Sequence, residues 1–405
     1  MKRFETPNYY RSSIVSKIKE LRKKEDVRKK DFSPTALDFG NVKFLIARHF
    51  GFCYGVENAI EIAYKTVEEN PGRKIFLLSE MIHNPLVNLD LQSRGVKFIM
   101  DAYGNQLVEW NEINAEDIVI IPAFGTTLEI ESLLMRKGIN TVKFNTTCPF
   151  VEKVWNRAED LGKEKFTVII HGKAKHEETR ATFSRSQQTA PSLIIRNIDE
   201  AVIISKIIIG EIIESEFYKY FEGKYSKDFN VTKDLKKIGV VNQTTMLASE
   251  TQAIADILRE TMGEKYGTET LKEHFADTRD TLCYATNDNQ SATIGLKQEA
   301  ADLAIVIGGY NSSNTSHLVE LLEEKFPTYF ISGAEKIISQ KVISHFDLHT
   351  YKEKSTENYL PRKAKLTIAI TSGASCPDSV VDDVLIKLLS FFNDAKNTEE
   401  ILKSL

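Results

Sequence analysis

Three cysteines that stand far apart in the chain share one local setting. Cys53 lies in "ARHFGFCYGVENAIEIA", Cys148 in "FNTTCPFVEKVW" and Cys283 in "DTRDTLCYATNDNQSA", each at the start of a predicted helix. The free N–H groups of a helix N-terminus stabilise a thiolate and lower the thiol pKa. Three converging thiolates could bind zinc or an iron–sulfur cluster, although the close cysteine pairs of zinc fingers and ferredoxins are absent. The alternative is that these are unrelated core cysteines.

The composition is that of an ordinary globular protein. The 405 residues are 42% hydrophobic and 27% charged, with a formal net charge of −4, so no broad basic surface for nucleic acid is expected. No apolar run reaches the length of about 18 residues that predicts a membrane span. The four cysteines are too few for a disulfide framework, and no hydrophobic signal segment is recognised. We therefore expect a cytoplasmic protein.

One pattern returns from about residue 42 onward: an apolar run, a loop of small and polar residues, then a helix. Runs such as "FTVIIHGK", "KIGVVNQ" and "LAIVIGGY" are typical of strands buried on both faces, and the intervening helices indicate parallel sheets. Loops that follow such strands gather at one edge, where ligands bind. The unusual residues of these loops, which predict one shared site, are His83, Thr126, His176, Glu178, Thr244, Ser312, Asn314 and Ser375.

The spacing of the cysteines predicts three similar α/β units. The intervals would be nearly equal if "EFYKYFEGKYSKDFN" were an inserted surface segment. The predicted order is a charged, solvated N-terminal extension (1–41), a first unit (42–147), a second unit (148–282) with an insertion near 211–236, a third unit (283–380) and a C-terminal helix (381–405).

An ordered set of segments resembles a known family. The segments "GFCYGVENAIEIA", "MIHNPLV", "NTTCPFVEKVW", "HEETRAT", "NQTTM", "DTLCYATNDNQ", "NSSNTSHL" and "TSGASCPDS" run from about residue 44 to about residue 390. Together they resemble 4-hydroxy-3-methylbut-2-enyl diphosphate reductase, the IspH or LytB family. The N-terminal extension and "PAFG" are similar to its longer plant and cyanobacterial branch. The resemblance implies an α/β fold of three similar units with small parallel sheets, arranged as a trefoil around a central [4Fe–4S] cluster.

The resemblance also implies roles for residues at matching positions. Cys53, Cys148 and Cys283 match the cluster ligands and leave one iron open. Glu178 matches the acid that delivers protons, and Thr244 matches the threonine that positions the substrate hydroxyl. The remaining substrate-binding positions are His83, Asn84, His176, Thr245, Ser312, Ser313, Asn314 and Ser375, with Thr286 nearby. The histidines left as structural are His49, His171, His274, His317, His345 and His349.

The implied reaction is the reductive dehydroxylation of 4-hydroxy-3-methylbut-2-enyl diphosphate to isopentenyl and dimethylallyl diphosphate. This is the last step of the non-mevalonate (MEP) isoprenoid pathway, and it consumes two electrons and two protons. The substrate hydroxyl would bind the open iron while Glu178 supplies the proton that lets water depart. No GxGxxG segment opens a helix, so ferredoxin or flavodoxin is the expected electron donor.

Two other functions fit part of the pattern. An aconitase-like dehydratase would use three cysteines and an acid without a reductant, and an electron carrier would need a fourth ligand, for which Cys376 is available. Serine, threonine and asparagine before helices are also common N-caps. Two residues depart from the family: Phe124 replaces a histidine of the shorter branch, and Cys376 replaces a small residue without sulfur. We expect Cys376 to be a packing residue.

Overall fold

The protein folds into two compact units. The structure, a computed structural model, describes residues 5–28, 30–276 and 281–404; residues 277–280, which belong to the segment quoted around Cys283, lie outside it. The first unit contains the chain up to Glu61, Ile82–Leu89 and the chain from Tyr284, and the second contains Ile62–Met81 and Asp90–Cys283. No helix of the described residues has both the length and the apolar character needed to cross a membrane.

Strands and helices alternate through most of the described chain. The strands are β1 (Thr35–Asp38), β2 (Val42–Ile46), β3 (Ile75–Leu77), β4 (Lys97–Phe98), β5 (Ile118–Ile120), β6 (Thr167–His171), β7 (Ser192–Ile195), β8 (Ile238–Asn242), β9 (Phe275–Ala276), β10 (Leu303–Ile307), β11 (Thr328–Ile331), β12 (Val342–Asp347), β13 (Lys352–Glu357) and β14 (Leu366–Ser372). The α-helices are α1 (Val15–Glu25), α2 (Tyr54–Glu69), α3 (Pro85–Ser93), α4 (Leu128–Arg136), α5 (Pro149–Lys163), α6 (Glu177–Ser186), α7 (Ile198–Ile209), α8 (Glu214–Tyr220), α9 (Val231–Asp234), α10 (Ala248–Tyr266), α11 (Leu271–His274), α12 (Tyr284–Gln298), α13 (Ser313–Glu323), α14 (Asp378–Leu389) and α15 (Thr398–Ser404).

The first unit is built on a seven-stranded sheet of the order β1-β2-β14-β10-β11-β12-β13. Its inner strands β2, β14, β10 and β11 are parallel, whereas β1 and the β12–β13 hairpin pair antiparallel at the edges. Every residue of β10 is buried, as the continuous apolar run "LAIVI" predicts for a central strand covered on both faces. The carboxyl ends of β10 and β14 lead into the loops that carry Ser312 and Ser375.

The second unit contains two small parallel sheets, ordered β4-β3-β5 and β7-β6-β8-β9. All residues of β6 and β8 are buried. Because these two strands are parallel neighbours, the loops that follow them begin at the same edge of the sheet. Those loops carry His176 and Thr244, so the fold places the two side chains at one edge as predicted.

The sheets cut across the predicted unit boundaries. Strand β2 opens the predicted first unit, yet it pairs with β14 from Val42↔Leu366 to Ile46↔Ile370. A continuous apolar run predicts that a strand is buried, but it does not identify the partner strand. The division into three units with boundaries at 42, 148 and 283 stays a prediction, although the described residues do form three sheets.

The N-terminal extension is packed rather than solvated. Val15 and Ile18 on α1 are buried in the core of the first unit, and β1 extends its sheet by pairing with β2. Asp382 on α14 accepts hydrogen bonds from the backbone N–H groups of Ser13, Ile14 and Val15 at 2.8–3.0 Å. The many lysines and arginines of this segment predict a solvated helix. The prediction is wrong for the narrow apolar face of α1 formed by Val15 and Ile18, which is buried.

The phenylalanines of the predicted insertion are buried in a core instead of lying on a surface. Phe217 and Phe221 on α8 are fully buried, and the Phe217 ring stacks on that of Phe229 with a centroid separation of 5.1 Å. They pack with buried residues of α7 and α10 in one hydrophobic cluster. Burial of several aromatic rings explains why a segment this rich in charge remains folded.

Phe217→Ala should lower the free energy of unfolding by about 3–5 kcal/mol, because it leaves a cavity in this aromatic core. Urea denaturation followed by circular dichroism measures the loss. Tyr220→Ala is the matched control on the same helix, since that side chain is half exposed. Equal midpoints for Phe217→Ala and the unmodified protein would show that the segment contributes nothing to stability.

Candidate functional site

The predicted acid, Glu178, is completely buried in the second unit. It lies in the first turn of α6, where the helix N-terminus favours a negative charge. Its Oε1 accepts a hydrogen bond from the backbone N–H of Thr244 at 2.5 Å, and its Oε2 accepts one from the Thr244 hydroxyl at 2.9 Å. One threonine therefore holds both oxygens, and the carboxyl group has a fixed orientation.

Thr244 connects this acid to one of the cysteines. It follows strand β8, and its carbonyl oxygen accepts a hydrogen bond from the backbone N–H of Cys283 at 3.4 Å. Cys283 is buried and directly precedes α12. The second unit thus brings the predicted acid, the predicted positioning threonine and one predicted cluster ligand into a single hydrogen-bonded path.

His176 and Phe124 extend the path toward Cys148. His176 is the N-cap of α6, and its Nδ1 accepts the backbone N–H of Glu178 at 3.2 Å, so the ring proton of the neutral imidazole lies on Nε2. The Phe124 ring meets the His176 ring edge to face, with centroids 5.5 Å apart. The neighbouring Ala123 accepts a hydrogen bond from the backbone N–H of Cys148 at 2.9 Å. Phe124 therefore fills its position with an apolar contact that orients His176.

Gln243 is a site residue that the sequence reasoning missed. It is buried beside Thr244, and its Oε1 accepts hydrogen bonds from the Lys173 backbone N–H and the Thr179 hydroxyl, both at 3.1 Å. Its Nε2 donates to the hydroxyl of the half-buried Thr245 at 2.7 Å. One amide thus ties together the loop after β6, helix α6 and the loop after β8. The signal was present in "NQTTM", where a glutamine directly follows a buried strand.

Cys53 occupies the start of α2 in the first unit. Its backbone N–H donates to the Ala374 carbonyl at 3.3 Å, and its own carbonyl accepts from Glu57. Burial raises the pKa of the Cys53 thiol, and the N–H groups of Gly55 and Val56 only partly oppose that shift. The predicted lowering of the thiol pKa by the helix N-terminus is therefore outweighed by desolvation of the buried thiol. A bound metal would remove the proton directly.

A second contact links the helix that follows Cys53 to the helix that follows Cys283. In the first unit, the backbone N–H of Tyr54 donates to the Tyr284 hydroxyl at 3.2 Å. Each tyrosine is the residue directly after one of the two cysteines. All four cysteines are free thiols. Within the described part of the chain, no group of three or more histidine, cysteine, aspartate or glutamate side chains could hold a single metal ion.

Asn314 in the first turn of α13 carries a donor without a partner. Its Oδ1 accepts hydrogen bonds from the Ala374 backbone N–H at 3.1 Å and from the Asn289 amide at 3.4 Å. Its Nδ2 is buried and meets no acceptor among the described residues. Because an unsatisfied buried donor is costly, this atom indicates an acceptor supplied by a ligand.

In several other predicted substrate-binding residues, one side-chain atom makes a hydrogen bond within the fold. Asn84 Oδ1 accepts from the first turn of α3 at 3.0 Å, and Ser312 Oγ caps α13 at 3.3 Å. Ser375 Oγ donates to the carbonyl oxygen of the buried His83 at 3.1 Å. The alternative interpretation as helix caps is therefore correct for Asn84 and Ser312. Ser313 is buried in the first turn of α13, and Thr286 is buried in that of α12.

Cys376 lies apart from these contacts. It is fully buried in the hydrophobic core of the first unit, and its Sγ donates to the Pro377 carbonyl at 3.6 Å. Burial, helped by the charge of Asp378, raises the pKa of this thiol to about 12. Its place among the apolar side chains of the core is that of a packing residue.

The histidines left as structural make contacts within the fold. The ring contacts are His49 with Phe32, His171 with Thr251, His274 with the Lys236 carbonyl, His317 with Glu320, His345 with Thr356 and His349 with Glu323. These contacts agree with the structural role expected for this group.

Comparison with known proteins places the chain in a family. The family described as LytB protein matches residues 44–389. A relative from Synechococcus sp. is 42% identical over 87% of this chain and 86% of its own length. Relatives from Trichormus variabilis and Gloeobacter violaceus are 40% and 39% identical, and cover 94% and 86% of this chain and 90% and 83% of their own lengths. Each of the three is named 4-hydroxy-3-methylbut-2-enyl diphosphate reductase.

Two solved structures share the fold. The E-1-hydroxy-2-methyl-but-2-enyl-4-diphosphate reductase from Plasmodium falciparum has a TM-score of 0.60 at 22% identity, covering 86% of this chain and 87% of that chain. A structure of (E)-4-hydroxy-3-methyl-but-2-enyl diphosphate reductase has a TM-score of 0.52 at 24% identity, covering 86% and 99%. These similarities confirm the predicted fold class. The match over residues 44–389, together with identities near 40% across most of the chain, shows that the chain belongs to the LytB family of 4-hydroxy-3-methylbut-2-enyl diphosphate reductases.

Proposed function

We propose that this chain reduces 4-hydroxy-3-methylbut-2-enyl diphosphate to isopentenyl and dimethylallyl diphosphate, the last step of the non-mevalonate pathway. The observation that carries the proposal is the buried Glu178–Thr244 pair and its hydrogen bond to the Cys283 backbone. The buried acid is thereby connected, through Thr244, to the backbone of one proposed cluster ligand, and all three residues are buried. The reductase names of the relatives support the same reaction.

Cys53, Cys148 and Cys283 are the proposed ligands of a [4Fe–4S] cluster with one open iron. The donor set fits such a cluster: none of the three cysteines forms a disulfide, and each directly precedes a helix. Tyr54 and Tyr284, the residues that directly follow Cys53 and Cys283, are joined by a hydrogen bond in the first unit. When bound, the cluster would polarise the substrate hydroxyl as a Lewis acid and supply electrons one at a time.

Glu178 is the proposed source of protons. In the reaction a C–O bond breaks, the oxygen leaves as water, and a C–H bond forms at one end of the allylic system, so two protons and two electrons are consumed. A protonated Glu178 would reverse its hydrogen bond to the Thr244 hydroxyl, which could then donate to the departing oxygen. Burial of the pair protects this relay from exchange with solvent.

The diphosphate is proposed to bind at the carboxyl edge of the first unit's sheet. Asn314 Nδ2 is an available buried donor there, in the first turn of α13, where backbone N–H groups favour anions. His83, Asn84, Ser312, Ser313 and Ser375 belong to the same unit, with His176 and Thr245 as the contacts proposed from the second. The Ser375–His83 hydrogen bond supports this grouping because it fixes two of these loops to each other.

The proposed electron donor is ferredoxin or flavodoxin, and the proposed compartment is the cytoplasm. The chain has no dinucleotide-binding fingerprint of its own, so the two electrons must come from a separate carrier. Four free cysteines are in keeping with a reducing compartment.

Cys53→Ser, Cys148→Ser and Cys283→Ser should each remove or strongly deplete the visible cluster absorbance after anaerobic reconstitution, because each removes one thiolate ligand. Iron analysis and the absorbance spectrum measure the result. Cys376→Ala is the matched control, and it should keep full iron content and most of the activity. Normal iron content in any of the three serine variants would exclude that cysteine from the ligand set. Iron loss in Cys376→Ala would favour an electron carrier with four ligands.

Glu178→Gln should leave the cluster spectrum and substrate affinity close to those of the unmodified enzyme while lowering turnover by roughly 10²–10⁴-fold, the usual loss for a general acid. The amide preserves size and accepts one hydrogen bond, but it cannot deliver the proton. Steady-state reduction with a reduced dye gives kcat and KM. Glu177→Gln is the control, the same substitution one residue away on the same helix. Unchanged turnover in Glu178→Gln would overturn the assignment.

A further inference from the structure

The N-terminal segment from Asn8 to Asp26, called here the N-terminal strap, lies along the loop that precedes Cys53. The Tyr10 ring meets the Phe52 ring edge to face at 5.9 Å. The ammonium group of Lys19 lies 4.7 Å above the centroid of the Phe50 ring. The strap therefore contacts two of the three residues immediately before Cys53.

The C-terminal end of the strap contacts the first part of the same loop. The guanidinium group of Arg48, which is buried, donates to the Arg22 carbonyl at 3.3 Å and lies 3.7 Å from the Asp26 carboxylate. Since strand β2 ends at Ile46 and α2 begins at Tyr54, these contacts span nearly the whole connection between the two elements.

Gly51 shows how closely the strap fits. Its φ of +75° is the left-handed conformation that glycine adopts readily. A Cβ at this position would collide with both the Lys19 ammonium group and the Asp378 carboxylate, which form a 2.7 Å ion pair above it. The loop backbone is thus pressed against a salt bridge between the strap and α14, with no space for a side chain.

Asp382 anchors the strap to α14. It is 4% exposed, and its two carboxylate oxygens accept the backbone N–H groups of Ser13, Ile14 and Val15. Val15 opens α1, and Ser13 and Ile14 directly precede it, so these N–H groups have no acceptor within the helix. Ser12 Oγ also accepts the N–H groups of Val15 and Ser16, at 2.7 and 3.3 Å, so the buried acid of α14 adds to a local cap and attaches the strap to another helix.

We propose that the N-terminal strap is a positioning element for Cys53, with Asp382 and Lys19 as its anchoring residues. The strap fixes the loop of residues 48–52. It thereby sets the position of the Cys53 thiol and protects the bound cluster from air. This inference rests on the proposed function in one respect, the role of Cys53 as a cluster ligand.

Hydrogen exchange on the cluster-free full-length protein tests the strap without assuming that ligand role. Asp382→Asn replaces an acceptor oxygen with a donor, so the strap should detach more often. Exchange of the amides of residues 48–53 should then rise roughly fivefold, which at 1.4 kcal/mol per factor of ten is the usual loss of about 1 kcal/mol for a helix cap. Lys19→Met should act in the same direction. Asp383→Asn, an exposed acid on the same helix, is the control and should change nothing.

The reconstituted enzyme supplies the second measurement. In Asp382→Asn the visible cluster absorbance should bleach several-fold faster in air than in Asp383→Asn. Unchanged exchange at 48–53, or a uniform increase across the first unit, would overturn the positioning role. Faster amide exchange at residues 48–53 together with an unchanged bleaching rate would overturn the proposed protection of the cluster. Full iron content in Cys53→Ser would instead remove the ligand assignment while leaving the exchange result intact.

Discussion

The hydrogen bonds between Glu178 and Thr244 are the constraint on which the proposed site residues of the second unit depend. A carboxylate buried without partners would cost several kcal/mol, so the fold must supply donors for it. Thr244 supplies both its hydroxyl and its backbone N–H, and the N-terminus of α6 adds a favourable dipole. Because one donor is a backbone group, the loop after β8 is locked to α6, and the Cys283 backbone follows through the Thr244 carbonyl.

The same pair of residues, a glycine after a strand and a threonine on the next helix, lies beside a proposed site residue in each unit. Gly172 follows β6, and a Cβ there would lie 2.6 Å from the hydroxyl of Thr179; Gly308 follows β10, and a Cβ there would lie 2.7 Å from the hydroxyl of Thr315. In both cases a strand-ending glycine lets the next helix approach until a threonine touches its backbone. Each threonine directly follows a proposed site residue, Glu178 or Asn314. This shared geometry is not evident as sequence repetition, because only the glycine and the threonine are required.

Strands that are buried on both faces could be predicted from the sequence. The packing of a helix that buries only one face could not. Continuous apolar runs identified β6, β8 and β10, and the loops that follow the parallel neighbours β6 and β8 begin at one edge of the sheet, as the pattern predicts. The packing of α1 escaped prediction because its lysines and arginines outnumber the two buried residues, Val15 and Ile18. The pairing of β2 with β14 escaped because an apolar run does not specify a neighbour. Gln243 escaped because its hydrogen-bond partners, Lys173 and Thr179, are distant in sequence, although "NQTTM" places it directly after a buried strand.

A polar residue before a helix can cap that helix or bind a ligand. In this protein the two roles are complementary, because they use different atoms of the same side chain. Capping consumes acceptors: Ser312 Oγ and His176 Nδ1 both accept backbone N–H groups, and Asn314 Oδ1 accepts one from Ala374. What remains on the Asn314 side chain is donor capacity, because its buried Nδ2 meets no acceptor among the described residues. A side chain whose acceptor is used by the fold and whose donor is not is matched to a ligand that offers only acceptors. A diphosphate is such a ligand, and a neutral alcohol with a hydroxyl to donate is not.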